Sequence, residues 1–207
     1  MLEKKNKFSI KTKFPFILAS SSHIRKSILK NTGLEFKVIT SNINEENIKK
    51  KFEGRPYTFI SKKLSQAKAI AVSKKHHNYY VIGADQICVF RKKILNKPLN
   101  KNNAIIQLGI LSGYEHEQIS GCSICLNGKV IFSFCSTAKL KMRKINKKQI
   151  TNYVNYDNPI NSCGSYKFES KGYLLFSKVK GDQYTIQGMP IFDLFNFLIK
   201  RNIIKYE

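Results

Sequence analysis

The chain has 207 residues, 42% of them hydrophobic, and a formal net charge of +24 from 37 Lys and Arg against 13 Asp and Glu. That length and apolar content suffice for one large domain with a buried core and exclude a disordered tail. So high a charge ordinarily raises nucleic acid or an acidic membrane as a partner. Only five of the cations are arginine, however, and the lysines run from end to end without a sustained block. A solvated basic surface, with no specific nucleic-acid partner, is therefore the simpler account.

Residues 1–13 read as a loose basic leader and 14–207 as a single domain. "FPFILA" is a buried strand, too short for a signal core, and no window reaches the ~18 apolar residues of a membrane span. A helix follows over 22–31, with Ser22 as N-cap, Ile24, Ile28 and Leu29 on one face and Gly33 past its end. "EFKVIT" is a second strand, and the polar "SNINEENIKKKFEGRP" reads as a surface loop. Pro56 opens a longer helix whose apolar stripe is Ile60, Leu64, Ala67 and Ala71, with Lys68 beside it. "YYVIGADQICVF" is the most apolar extended stretch and contains one acid. After a turn at Arg91–Lys93 and the end of "ILNKP", a helix runs over 101–111. Two long strands joined by Asn127-Gly128 form an antiparallel ribbon, because both turn residues tolerate positive φ. A helix capped by Asn146 spans 146–155, "YLLFSKV" is a strand, and a closing helix runs from Pro190 to about 201. The alternation predicts an α/β chain with a mixed, twisted sheet and flanking helices.

Five cysteines without framework spacing argue for free thiols in a reducing, cytoplasmic compartment. Cys122 and Cys125 form a C-x-x-C, but they fall in a predicted strand, where positions three apart face opposite sides, so zinc is not expected. The carboxylate in "VIGADQI" needs explaining, since an unpaired charge in an apolar setting is costly. Asp85 either ends a strand at a cleft, a reading that Gly83 and Ala84 favour, or is buried against a lysine. Ser20, Arg25 and Lys26 stand at a helix start suited to a phosphate. Lys68 and Lys97 are further cations that could join them. Neither a P-loop nor a dinucleotide fingerprint is present.

Taken in order, "ILASSSHIRKSIL", "SNINEE", "LSQAKAIAV", "VIGADQ", "NKP", "LSG", "GSYKFES" and "KGDQYTIQGMP" closely resemble the Maf family of nucleoside triphosphate pyrophosphatases over roughly residues 14–200. The resemblance implies a two-lobed, ITPase-like architecture with a cleft between the lobes. It also implies hydrolysis of a nucleoside triphosphate between the α- and β-phosphorus with a divalent metal, Mg²⁺ or Mn²⁺. On the matching positions, Ser20, Arg25, Lys26, Lys68 and Lys97 bind phosphate, Asp85 accepts the proton of the attacking water, and Glu45 joins Asp85 as a metal ligand. A homodimer stays open.

One departure is visible: His23 and Ile24 occupy the places between the serines and Arg25-Lys26 where the family usually starts with proline. Two branches are known, one acting on dTTP and UTP and one preferring 7-methyl-GTP. Gln86 after Asp85, and Glu169 in "GSYKFES", look like the second. Ile24, Gln86 and Glu169 are thus the expected specificity residues, and a carboxylate at 169 would complement the cationic methylated base. Readings of other classes are a basic protein that only binds nucleic acid and a regulator of cell division using the same pocket.

Overall fold

A computed structural model describes residues 9–207. In chain order the elements are β1 (Ile10–Thr12), β2 (Phe16–Leu18), α1 (His23–Asn31), β3 (Phe36–Val38), α2 (Glu45–Lys51), α3 (Tyr57–Ser73), β4 (Tyr80–Phe90) and β5 (Lys93–Leu95). They continue with α4 (Lys101–Leu111), β6 (Glu115–Leu126), β7 (Lys129–Met142), α5 (Lys147–Asp157), a 3₁₀ turn (Gly172–Leu175), β8 (Phe176–Lys180), α6 (Gln183–Ile186), α7 (Ile191–Lys200) and β9 (Ile204–Tyr206).

The main sheet runs β3-β2-β4-β6-β7-β8, with β5 paired to β4. β2 is parallel to β3 and β4, and the other pairs are antiparallel, so the sheet is mixed, as expected. β4 is central because it is apolar on both faces and nearly every residue is buried. The Asn127-Gly128 turn takes φ of 50° and 78°, as its sequence requires. At the outer edge Lys139 faces Lys180, and Lys141 faces Lys178. Like charges paired across strands weaken the ladder but keep the β8 edge from recruiting another strand, which is one use of the surplus lysine.

Two apolar clusters lie on one face of the sheet. One gathers Leu18, Ile82, Leu29 and Leu194 under α1 and α7. The other gathers Leu108, Leu140, Val154 and Phe176 under α4 and α5. These are the two lobes. The opposite face is covered by α3, whose Ile60 and Leu64 pack on Ile87 and Ile119.

β2 pairs with β4 over Tyr80–Ile82, and β5 pairs with the same edge over Cys88–Phe90. Residues 83–87 therefore have no strand on that side. This notch between the lobes sits just past the carboxyl end of β2, where open α/β sheets place their ligands.

Several expectations need correction. Glu45–Lys51 is a helix, not a loop: Asn44 caps it, two acids occupy its first turn and three lysines its last, which suits the helix dipole although no residue is buried. The α3 stripe is rotated, with Ser61, Ser65 and Ala69 against the sheet and Ala67 and Ala71 only half-buried. The segment before β8 is largely a 3₁₀ turn. Residues 1–8 of the expected leader lie outside the described residues, whereas Ile10–Thr12 pair with β9. Among the described residues no helix is long and apolar enough to cross a membrane.

Candidate active site

Gly83 and Gly121 let α3 lie close to the sheet. A Cβ at Gly83 would stand 2.3 Å from Ser65 O, and one at Gly121 would stand 2.5 Å from Ser61 O. Gly83 thus serves helix packing, not a turn toward a ligand, and Asp85 lies in mid-strand instead of at a strand end. The approach brings Lys68 of α3 over β4, where its Nζ meets Asp85 Oδ1 at 2.6 Å. Both side chains are nearly buried, at 9% and 5% exposure. Of the two readings of Asp85, burial against a lysine is the observed one.

The same ammonium also meets Glu45 Oε1, at 2.8 Å, from the first turn of α2. Burial alone would raise the Glu45 carboxyl, but Lys68 as charge and donor, then Lys97 and Lys49, outweigh it and hold the group below its ordinary value. One cation is therefore shared by two carboxylates from separate elements, one buried and one open to the notch.

The phosphate-type start lies across the notch. Extending the β2–β4 register by two places sets Ser20 beside Ala84. Ser20 Oγ accepts from Ser22 N–H at 3.2 Å and lies 3.4 Å from Arg25 Nη1. Ser22 caps α1 by accepting from Arg25 N–H. Arg25 Nε donates to Gly188 O at 2.8 Å. Gly188 has φ 84°, and a Cβ there would press on Arg25 and Gln86, so glycine leaves room for the guanidinium. Lys26 is exposed on the first turn of α1, and Lys97 is exposed in the loop after β5.

Two residues missed by the sequence reading belong to this region. Cys163, half-buried, donates its thiol to Gln86 O at 3.6 Å inside the notch. Burial and the Asp85 charge push that thiol up, while the charges of Lys97, Arg25 and Lys49 pull against them. Its loop is fixed by Gln118 Nε2, which donates to Cys163 O at 3.1 Å, and by Ser165 Oγ, which donates to Gln107 at 2.6 Å. Lys49 donates to Glu46 at 2.7 Å and to Asn96 at 3.0 Å, tying α2 to the loop of Lys97. The scarcity of acids pointed to Asp85 and Glu45; nothing in so lysine-rich a chain could have singled out Lys49.

A cavity of about 440 Å³ adjoins the notch between α1 and the α6–α7 segment. Ile24, Glu169, Gln183, Tyr184 and Gln187 are on its wall, and it meets the charged cluster through the neighbours Ile24–Arg25 and Gln187–Gly188. Gln86 is turned elsewhere. Its amide donates to Thr185 O at 3.3 Å and to Ile186 O, holding α6 in place.

A family model described as Maf-like protein matches residues 15–201. The chain belongs to the Maf-like family. Curated relatives named nucleoside triphosphate pyrophosphatase include one from Legionella pneumophila (strain Paris), 39% identical over 92% of this chain and 95% of its own. Another, from Bradyrhizobium diazoefficiens, is 37% identical over 93% and 96%, and one from Ruegeria pomeroyi is 34% identical over 92% and 98%.

In this Maf-like chain the described residues hold no group of three or more His, Cys, Asp or Glu placed for a metal. Cys122 and Cys125 point into cores on opposite sides of the sheet, as the strand reading requires. The oxygen pair of Glu45 and Asp85 already holds one cation, the Lys68 ammonium. Two carboxylates suit a hard divalent ion that keeps water and phosphate oxygens in its remaining positions.

Proposed function

We propose that this Maf-like protein hydrolyses nucleoside triphosphates between the α- and β-phosphorus, releasing a nucleoside monophosphate and pyrophosphate. The observation carrying this reading is the Lys68 ammonium held between Asp85 and Glu45 at the mouth of the notch. The triphosphate lies over the start of α1, where the helix N-terminus, Ser20, Arg25 and Lys26 face it, with Lys97 opposite. Its negative charge competes with both carboxylates for Lys68. Asp85, released from that ion pair, takes the proton of the attacking water, and the cations stabilise the charge that builds on the phosphoryl oxygens. Glu45 and Asp85 would hold a Mg²⁺ or Mn²⁺ ion, which supplies charge neutralisation and orients the phosphates.

The base is read at the cavity beside Ile24, and 7-methyl-GTP is the substrate this favours. Glu169 offers a carboxylate to a cationic ring, and Tyr184 on the same wall offers the aromatic surface that Ile24 lacks. Gln86 acts on specificity through α6.

The test is release of pyrophosphate from 7-methyl-GTP, dTTP, UTP and GTP, with Mg²⁺, Mn²⁺ or a chelator. The expected result is metal-dependent release, fastest from 7-methyl-GTP. Faster turnover of dTTP and UTP would assign the other branch, and orthophosphate as the first product would overturn the bond assignment. Asp85→Asn is expected to lower turnover ~10²–10⁴-fold with an unchanged circular-dichroism spectrum. Retained turnover would remove Asp85 from the mechanism.

A further inference from the structure

Among the described residues two acids are buried, Asp85 and Asp157. Asp157 is unexplained by the reaction above, and its position is unfavourable in three ways. It is 6% exposed. No cation pairs with it among the described residues. It also lies in the last turn of α5, where the helix dipole opposes negative charge.

Besides the Tyr153 hydroxyl of its own helix, the groups that satisfy Asp157 come from the segment bearing Glu169. Ser170 Oγ donates to Asp157 Oδ1 at 2.5 Å, and Lys171 N–H donates to Oδ2 at 3.3 Å. One turn back on α5, the Tyr153 hydroxyl accepts from Lys167 N–H at 2.9 Å. Burial pushes the Tyr153 hydroxyl up; the Lys167 N–H pulls against it, and the charge of Asp157, the hydrogen bond to it and the charge of Glu169 add to the rise. The segment is also closed on itself, because Ser170 and Gly172 both donate their N–H groups to Lys167 O. Gly172 permits this closure: a Cβ there would stand 2.4 Å from Lys167 O. Phe168 packs into the core beside Phe176. Glu169 is the exposed residue left between these anchors, and it faces the cavity.

We propose that Asp157 is the positioning residue for base discrimination, acting through Ser170 and Lys171 to present the Glu169 carboxylate to the cavity. The inference rests on the base-reading role given to Glu169. A free loop would let that carboxylate turn away into solvent, whereas a pinned one keeps it available to a cationic or donor-bearing base.

The experiment compares kcat/KM for 7-methyl-GTP and for UTP in the native protein and in Glu169→Gln, Asp157→Asn and Ser170→Ala. Glu169→Gln is expected to lower the ratio of the two values by about tenfold. Asp157→Asn, which sets an amide against one of two donors, is expected to lower it in the same direction, and Ser170→Ala to lower it less. Hydrogen exchange at the Lys167 and Lys171 amides is expected to speed up in Asp157→Asn. If Asp157→Asn and Ser170→Ala lower both values equally while Glu169→Gln changes the ratio, Asp157 is structural only and the inference falls alone. If Glu169→Gln leaves the ratio unmoved, the base reading and the inference fall together.

Discussion

Asp85 and Asp157 are buried to the same degree, yet Asp85 meets an ammonium and Asp157 meets a hydroxyl and a backbone N–H. An ion pair can be exchanged: in the proposed reaction an incoming polyanion would draw Lys68 away and leave the carboxylate as a base. Hydrogen bonds from neutral groups offer no such exchange, and they hold geometry instead. The charged end of the site is accordingly built from the middle of a strand and a helix, and the cavity end from a short pinned loop.

Removing the ammonium separates the two cases most sharply. Lys68→Met leaves Asp85 buried without a counter-charge and is expected to cost about 3–5 kcal/mol of stability, read from the denaturant midpoint at neutral pH. An undisturbed midpoint would mean that Asp85 reaches water. A smaller effect comes from Gly83→Ala, whose methyl would push α3 off β4 and stretch the Lys68–Asp85 contact while leaving Asp157 untouched. The expected loss is about 1–3 kcal/mol, with a larger proportional loss of turnover than of folded protein. The smallest effect belongs to Glu45. Its pKa is lowered in the folded chain, so its stabilising tie is complete above the unfolded value and is lost as pH falls through the lowered one. With Glu45 43% exposed, the tie contributes about 0–1 kcal/mol. Glu45→Gln should therefore remove a small acid-side decline in stability seen in the native chain, and identical acid curves would show that the tie contributes nothing.

Elements with strong local signals were legible: the Ser22 cap, the Asn127-Gly128 turn, the Asn146 cap and the apolar run of β4 all stand where the sequence places them. α2 was hidden because a seven-residue helix with one apolar side chain, the half-buried Ile48, shows no apolar period, and its evidence lies in charge placement at the two ends. β1 and β9 pair across nearly the whole chain, which no local pattern encodes. At the site, Asp85 and Glu45 were visible because acids are rare here. Cys163 carries no signal beyond being one of five free thiols, since its place in the notch depends on Gln118 and Gln107, distant residues that fix its loop. Gly83 misled for a similar reason: a glycine before an acid suits a cleft or a close helix equally, and only the position of Ser65 O decides.

The β1–β9 pairing lies at the amino end of β2, while the site lies past its carboxyl end. Ser9 and Glu207 exchange backbone hydrogen bonds at 3.0 and 3.1 Å. A short linker joining these positions, with new ends opened at the Asn127-Gly128 turn, would thus yield a circular permutant that keeps every strand neighbour. Dyes attached at Ser9 and Glu207 of the native chain would report, by loss of energy transfer, when that clasp lets go.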